Sequence, residues 1–407
     1  MDPRTLLDQV FERSRVAYEV VERYVHRTPL DRSRTFSELV GAEVYLKCEN
    51  LQKTGAFKVR GALFKVYNLA KQGVKGVVAA SAGNHAQGVA YASRTWGLRA
   101  VIVMPETASI SKIEATKSYG AEVVLYGSVY DEAERKAWEI AESEGLVFVH
   151  PFNDIDVMAG QGTIAWELIE QLHDFDAVVV PIGGGGLASG ILAVLKKMKP
   201  NVKVIGVEPE NAPKMLSSIR SGRITEIEVK PTLADGLATK RPGDLTYTIV
   251  SNFIDDIVTV SEDELATAIY MLLERAKLLV EGAGAASIAA LLSGKVRVRG
   301  RVVALITGGN IDVTALYRIL LRGLVAAGRV VKLRGYVPDV PGALRGALEI
   351  IAKYRGNIVD IRHDRYDVRA SPWYASVEIL LEVPSRDVVK SMLNDLERRG
   401  YRFTVVD

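Results

Sequence analysis

Cysteine is almost absent from this 407-residue chain. The single thiol, Cys48, excludes an internal disulfide and a cysteine-built metal site, as suits a reducing compartment. Its place in the strand-like run 43–49 reads as a buried structural sulfur, not a nucleophile. One-sided charge is also missing: 52 Lys plus Arg stand against 49 Asp plus Glu, a formal net charge of +3. That balance gives no footing for a nucleic-acid or membrane surface, so any bound phosphate must be held locally. Long apolar runs are lacking too. The most apolar stretches, such as 177–182, fall far short of the roughly 20 residues that a membrane helix needs. Residues 1–25 mix charges into a helical pattern without a basic start and apolar core, so they do not read as a signal peptide. Repeats and low-complexity linkers are not found. A cytoplasmic protein is expected, and with 48% hydrophobic and 25% charged residues the chain is expected to fold throughout.

What the chain does contain is alternation. Short β-branched runs at 77–80, 100–104, 122–126, 146–150, 177–181, 203–208 and 301–307 are separated by helical patterns. Such alternation means βαβ units and a mostly parallel sheet. Helical spacing is clear over 131–144 and over 262–280, the latter opened by a capping box of Ser261 and Glu264. The segment 1–328 therefore reads as α/β. From 329 to 407 the pattern changes to strand 330–337, helix 342–354, strand 357–363, strand 373–383, helix 385–399 and strand 402–406. That βαββαβ order is ferredoxin-like and marks a separate C-terminal domain.

Four glycines, Gly183, Gly184, Gly185 and Gly186, follow the apolar strand at 177–182 and precede a helical stretch beginning at Leu187. Their amides can close around an anion where the helix dipole adds attraction. Gly183, Gly185 and Ala188 also satisfy a dinucleotide-binding pattern, with Glu208 spaced as a ribose ligand, so the loop alone leaves a nicotinamide-dependent oxidoreductase open. A second cluster, 55–62, places Lys58 beside Phe57 at a helix start, where the dipole and the aromatic disfavour the ammonium. Such an amine suits Schiff-base chemistry, although a solvated surface lysine is the plainer reading of that residue alone. A third cluster, Ser81, Ala82, Gly83, Asn84 and His85 through Gly88, joins a strand end to a helix start and offers amides to a carboxylate. With Thr307, Gly308, Gly309 and Asn310 closing a fourth strand, the clusters supply an amine, a carboxylate site, a phosphate site and a hydroxyl at matching strand ends.

Through 49–58 (ENLQKTGAFK), 81–88 (SAGNHAQG) and 183–187, the chain resembles the threonine dehydratase family of fold-type II pyridoxal-phosphate enzymes over 25–327. The resemblance implies two open, twisted, mostly parallel α/β subdomains, the smaller one at about 50–152 inserted in the larger. It implies pyridoxal 5'-phosphate as cofactor, joined to Lys58 as a Schiff base and flanked by Phe57, with Asn84 at its 3'-oxygen. Gly183 to Gly186 and Leu187 would hold the phosphate, Thr307 would face the pyridine nitrogen, and Ser81, Ala82, Gly83, Asn84 and His85 would surround the substrate carboxylate. The implied reaction is dehydration and deamination of L-threonine to 2-oxobutanoate and ammonia, with L-serine giving pyruvate, in a homodimer or homotetramer.

Related serine racemases, the nearest alternative, carry a serine where Ala82 stands; a methyl group cannot donate the proton that racemisation requires. β-Replacing synthases share the cofactor but have a different asparagine loop, and a non-catalytic amino-acid sensor would not need every catalytic motif. Glu208 and Ala212 resemble cation ligands of the racemases. Lys214 stands where a second carboxylate would be, which predicts a Glu208–Lys214 pair and no metal. Glu281 resembles a family glutamate but receives no role, and His150 and His173 read as structural.

Asp339 to Gly342, between the first strand and helix of the C-terminal segment, and Asn357 at the next strand resemble ACT domains over 330–407. The resemblance implies an amino-acid effector at Asp339, Gly342 and Asn357, with isoleucine suiting a biosynthetic enzyme. A ligand-free oligomerisation domain is the alternative.

Overall fold

The computed structural model describes residues 2–406. They divide into two compact units, one up to Asp312 and one from Val313 onward, so the helix Val313–Ala326 counts with the second unit.

The strands of the first unit are, in chain order, β1 (Leu30–Arg32), β2 (Glu43–Cys48), β3 (Gly76–Ala80), β4 (Arg99–Met104), β5 (Glu122–Leu125), β6 (Val147–Phe148), β7 (Ala177–Pro181), β8 (Lys203–Pro209), β9 (Asp256–Val260) and β10 (Arg301–Ile306). They form a six-stranded sheet, β1-β2-β10-β7-β8-β9, and a four-stranded sheet, β5-β4-β3-β6. Every pairing is parallel except that of β1 with β2. β3 and β7 are buried at every position, which is why their sequences are continuous Val/Ala runs without alternation: helices cover both faces. The helix Pro3–Val21 buries Leu6, Leu7, Val10, Ala17 and Val21, and Asp2 caps it by accepting from the Thr5 amide.

Two expectations need correction. Sequence alternation misses β9, a five-residue edge strand. The helix expected over 262–280 opens with the Ser261–Glu264 capping box but ends at Met271. A wider π turn covers Leu272–Ala276, closed by the Lys277 amide on the Leu272 carbonyl, and Lys277 turns left-handed at φ 61°.

The second unit carries β11 (Val330–Pro338), β12 (Asn357–Asp364), β13 (Tyr374–Glu382) and β14 (Arg402–Val406) in an antiparallel sheet ordered β12-β13-β11-β14. Its helices Ala343–Lys353 and Arg386–Arg398 bury Ile351, Met392 and Leu396 against Leu333, Val377 and Ile379. This is the ferredoxin-like arrangement. Among the described residues no helix is long and apolar enough to cross a membrane.

Candidate active site

The carboxyl ends of β3, β7 and β10 open onto one cavity of about 800 Å³ in the first unit, as expected for ligand sites in open α/β sheets. Its wall brings together Phe57, Lys58, Ser81 to His85, Gly183 to Leu187 and Thr307, residues spread over some 250 positions of chain.

Lys58 is the first residue of the helix Lys58–Lys71. The segment before it is strapped to the end of β10: the Phe57 amide donates to Thr307 O at 3.1 Å, and the Gly309 amide to Gly55 O at 2.9 Å. Gly55 adopts φ +72°, a conformation that lets the chain turn there. The Lys58 Nζ donates to Pro151 O at 2.9 Å and lies 5.4 Å from the Phe57 ring centroid. Burial depresses its pKa to about 8, against the opposing pull of Glu281.

The glycine loop fits a phosphate. Gly185 has φ +99° and caps the helix Gly186–Met198. A Cβ on Gly184 would fall 2.3 Å from the Phe152 ring, so only a bare backbone passes. Among the described residues no carbonyl outside the helix takes the amides of Gly183 to Leu187, which leaves them for an anion at the positive end of the helix. The rival dinucleotide reading fails at Glu208. That carboxylate is fully buried and saturated, accepting from the Met215 and Leu216 amides at 3.0 and 2.9 Å and pairing with Lys214 at 3.0 Å, so it is not free for a ribose.

Lys214 is itself fully buried. Its Nζ donates to Ile182 O at 2.7 Å, Leu237 O at 2.8 Å and Ala212 O at 3.4 Å besides meeting Glu208. An ammonium thus sits among three carbonyls and a carboxylate, immediately behind the glycine loop. Burial still lowers its pKa, with Glu208 opposing.

Asn84 opens the helix Asn84–Trp96 and is bonded on both sides, to Glu281 and Asn310. His85 follows it on the same helix. Its Nε2 donates to Val149 O at 2.9 Å, and burial followed by the charge of Lys58 pushes its pKa to about 3. With that shift the ring is neutral near pH 7. His150, read from sequence as structural, lines the cavity. Its Nδ1 accepts from the Phe152 and Asn153 amides at 3.2 and 2.9 Å, and burial and Lys58 hold its pKa at about 4. Cys48 is buried, its pKa pushed up to about 12, which suits an inert thiol.

In the second unit the residues assigned to an effector are not brought together within one chain. Asp339 follows the last residue of β11, and its amide donates to Trp373 O at 2.9 Å. Asn357 pairs with Glu382, which faces Val330 at the first residue of β11. At about 3.4 Å per residue, the nine steps from Val330 to Asp339 put them roughly 30 Å apart along the strand. Asp339 and Gly342 share one end, where Arg365 already clamps the Asp339 carboxylate at 2.9 to 3.1 Å.

Comparison with known proteins agrees with this geometry. The family model for pyridoxal-phosphate dependent enzymes matches residues 21–308. The L-threonine ammonia-lyase of Thermotoga maritima is 49% identical over 392 residues, 96% of this chain and 98% of that protein. The solved processed form of threonine deaminase isoform 2 from Solanum lycopersicum superposes with a TM-score of 0.73 at 37% identity, covering 77% of this chain and 92% of that one. Maize serine racemase gives the same TM-score at 35% identity, covering 78% and 98%. A buried amine of depressed pKa and an anion cradle in one cavity, on a chain matched over most of its length, show that it belongs to the family of pyridoxal-phosphate-dependent enzymes.

Proposed function

We propose that this chain is a pyridoxal-phosphate-dependent ammonia-lyase that converts L-threonine into 2-oxobutanoate and ammonia, and L-serine into pyruvate. The observation that carries the reading is Lys58, an amine with a pKa of about 8 facing the same cavity as the glycine loop. Bound there, pyridoxal phosphate supplies an aldehyde carbon for amines and a conjugated ring that takes up the electron pair of a broken Cα–H bond. The Lys58 Nζ, substantially neutral near pH 8, takes the Cα proton. The amides opening the helix Asn84–Trp96, with Ser81, orient the carboxylate. Thr307 brings a neutral hydroxyl to the wall, a group that can donate to a ring nitrogen without demanding that the nitrogen be protonated.

Ala82 presents a methyl group on the cavity wall where racemisation would need an acid, so loss of the β-hydroxyl dominates. The test is a coupled assay of keto-acid release from L-threonine and L-serine with D-serine measured alongside. Keto acid should far outrun D-serine; equal rates would refute the lyase reading in favour of a racemase.

The Lys214 cage supports metal independence, the ammonium supplying the charge that a divalent cation would otherwise bring to Glu208. Dialysis against EDTA is expected to leave turnover unchanged. A loss restored by magnesium would contradict it.

The second unit is read as an ACT regulatory domain. A single amino acid reaches Asp339, Gly342 and Asn357 only if Asn357 comes from a second copy, which fits a homodimer or homotetramer. Repeating the assay with isoleucine and valine up to millimolar levels should change the rate, and a flat response would leave an oligomerisation domain. The balanced charge and single buried thiol favour the cytoplasm.

A further inference from the structure

One carboxyl in the cavity wall is idle in the chemistry above. Glu281 stands at the N-cap position of the helix Gly282–Leu292, yet its side chain makes no capping bond. It turns to Asn84, its Oε1 accepting from Nδ2 at 2.6 Å, and is only 6% exposed. On the other side the Asn84 Oδ1 accepts from Asn310 Nδ2 at 2.7 Å, and Asn310 is anchored by donating to Thr54 O at 2.8 Å. An amide held at its oxygen by a donor and at its nitrogen by an acceptor cannot flip without setting donor against donor and oxygen against oxygen. One N–H of Asn84 is left over, with its direction fixed. The backbone makes room for this arrangement at Gly308, where a Cβ would lie 2.2 Å from Glu281 Oε1 and 3.2 Å from Asn84 Nδ2.

We propose that Glu281 is a positioning residue for the cofactor: it locks the Asn84 amide so that the remaining N–H is aimed at the cofactor's 3'-oxygen, and its charge state sets the strength of that grip. This rests on the reading that the cavity takes pyridoxal phosphate with that oxygen beside Asn84. The charged groups facing Glu281 are Lys58 at the start of its helix, Lys112 on the helix Ile110–Ser118, and Asp235 in the turn Asp235–Leu237. Burial, then Asp235, raise its carboxyl to about 7 against Asn84, Lys112 and Lys58. Below that pH the carboxyl is neutral and a weak acceptor; above it the carboxylate polarises the Asn84 amide and tightens the hold on a phenolic oxygen.

Two readouts on the full-length protein test this, neither of them turnover. The first is the dissociation constant of pyridoxal phosphate in a cycle of Glu281→Ala, Asn84→Ala and the double variant. Glu281→Ala should weaken binding about tenfold or more, the scale of a hydrogen bond to a charged group. On the Asn84→Ala background it should change binding by less than about twofold, because the two act as one unit. The second is the visible absorbance of bound cofactor from pH 6 to 8, which should step near 7 in the wild type and run flat in Glu281→Gln. That variant keeps a neutral acceptor of the same shape and should hold cofactor within about threefold of wild type at pH 6, where the wild-type carboxyl is neutral as well. Independent effects in the cycle, or a pH step that survives Glu281→Gln, overturn the proposal while leaving the cofactor reading intact. A wild type that takes up no pyridoxal phosphate overturns both.

Discussion

Replacing Lys58 with alanine is expected to lower kcat on L-threonine by at least about 10³-fold, within the roughly 10²–10⁴ that a positioned acid or base contributes, with the loss of covalent capture added. The side chain is the first residue of its helix, and its Nζ is held at 2.9 Å from Pro151 O. Its ammonium is destabilised by burial, which brings its pKa to about 8. Arginine at this position would separate chemistry from charge. A guanidinium keeps the positive charge but does not lose its proton, so Lys58→Arg should be as inactive as Lys58→Ala. Borohydride should fix a cofactor adduct to the wild type and to neither variant, as read by mass and by loss of the visible absorbance. If either variant kept turnover within about tenfold of wild type, Lys58 would not be the base.

The parts of this site that could be read from sequence are those encoded locally. A glycine run after an apolar strand carries its own geometry, because strand ends and helix N-termini determine where amides point. Lys58 taken alone reads as a surface lysine and the Asn84 cluster as a common turn, and both gained their roles from the joint motif and its resemblance. The Gly183 to Gly186 loop, Lys58 and Asn84 indeed line one cavity. What escaped reading depends on partners far away in the chain. Glu281 meets Asn84 from 197 residues off, and which ring nitrogen of His85 carries the proton is set by Val149 O, 64 residues away. His150 reads as structural and does accept from the Phe152 and Asn153 amides, but that it also borders the cavity is not visible beside it in sequence. The Glu208–Lys214 pair was legible only through the resemblance to the racemase cation ligands, and the Ile182 and Leu237 carbonyls completing the cage were not. The helix over 262–280 was overextended because apolar spacing continues through Leu272–Ala276 with no glycine or proline to mark the π turn.

The second large effect comes from Arg60, two residues beyond Lys58 on the same helix, and it should register as lost stability. Its guanidinium forms a two-point pair with Glu49, both contacts at 2.8 Å, and donates to Glu167 at 2.7 Å. Lys47 joins Glu167 at 2.5 Å and Thr28 O at 2.9 Å, giving two cations and two anions at 2% exposure or less. The group pins the Lys58 helix to β2 and to the helix Ile155–Gln171. Arg60→Met would leave one negative charge uncompensated in the interior, which costs about 3–5 kcal/mol, read as a lower urea midpoint. Adding Glu49→Gln removes that excess charge and should restore part of the loss, whereas additive damage would mean the four do not act together.

The pH dependence fixes the sign. Glu49 now lies below the usual carboxylate range: burial pushes it up, but Arg60, then Lys47 and Thr28, pull it further down. A depressed acid contributes stability above its unfolded pKa and loses it as pH falls through the folded value, so the wild type keeps this contribution at neutrality. In Arg60→Met burial acts with far less opposition and the carboxylate is the penalised form. The gap between variant and wild type should therefore narrow as pH drops from 8 toward 5, and a gap independent of pH would point to lost packing instead of a stranded charge.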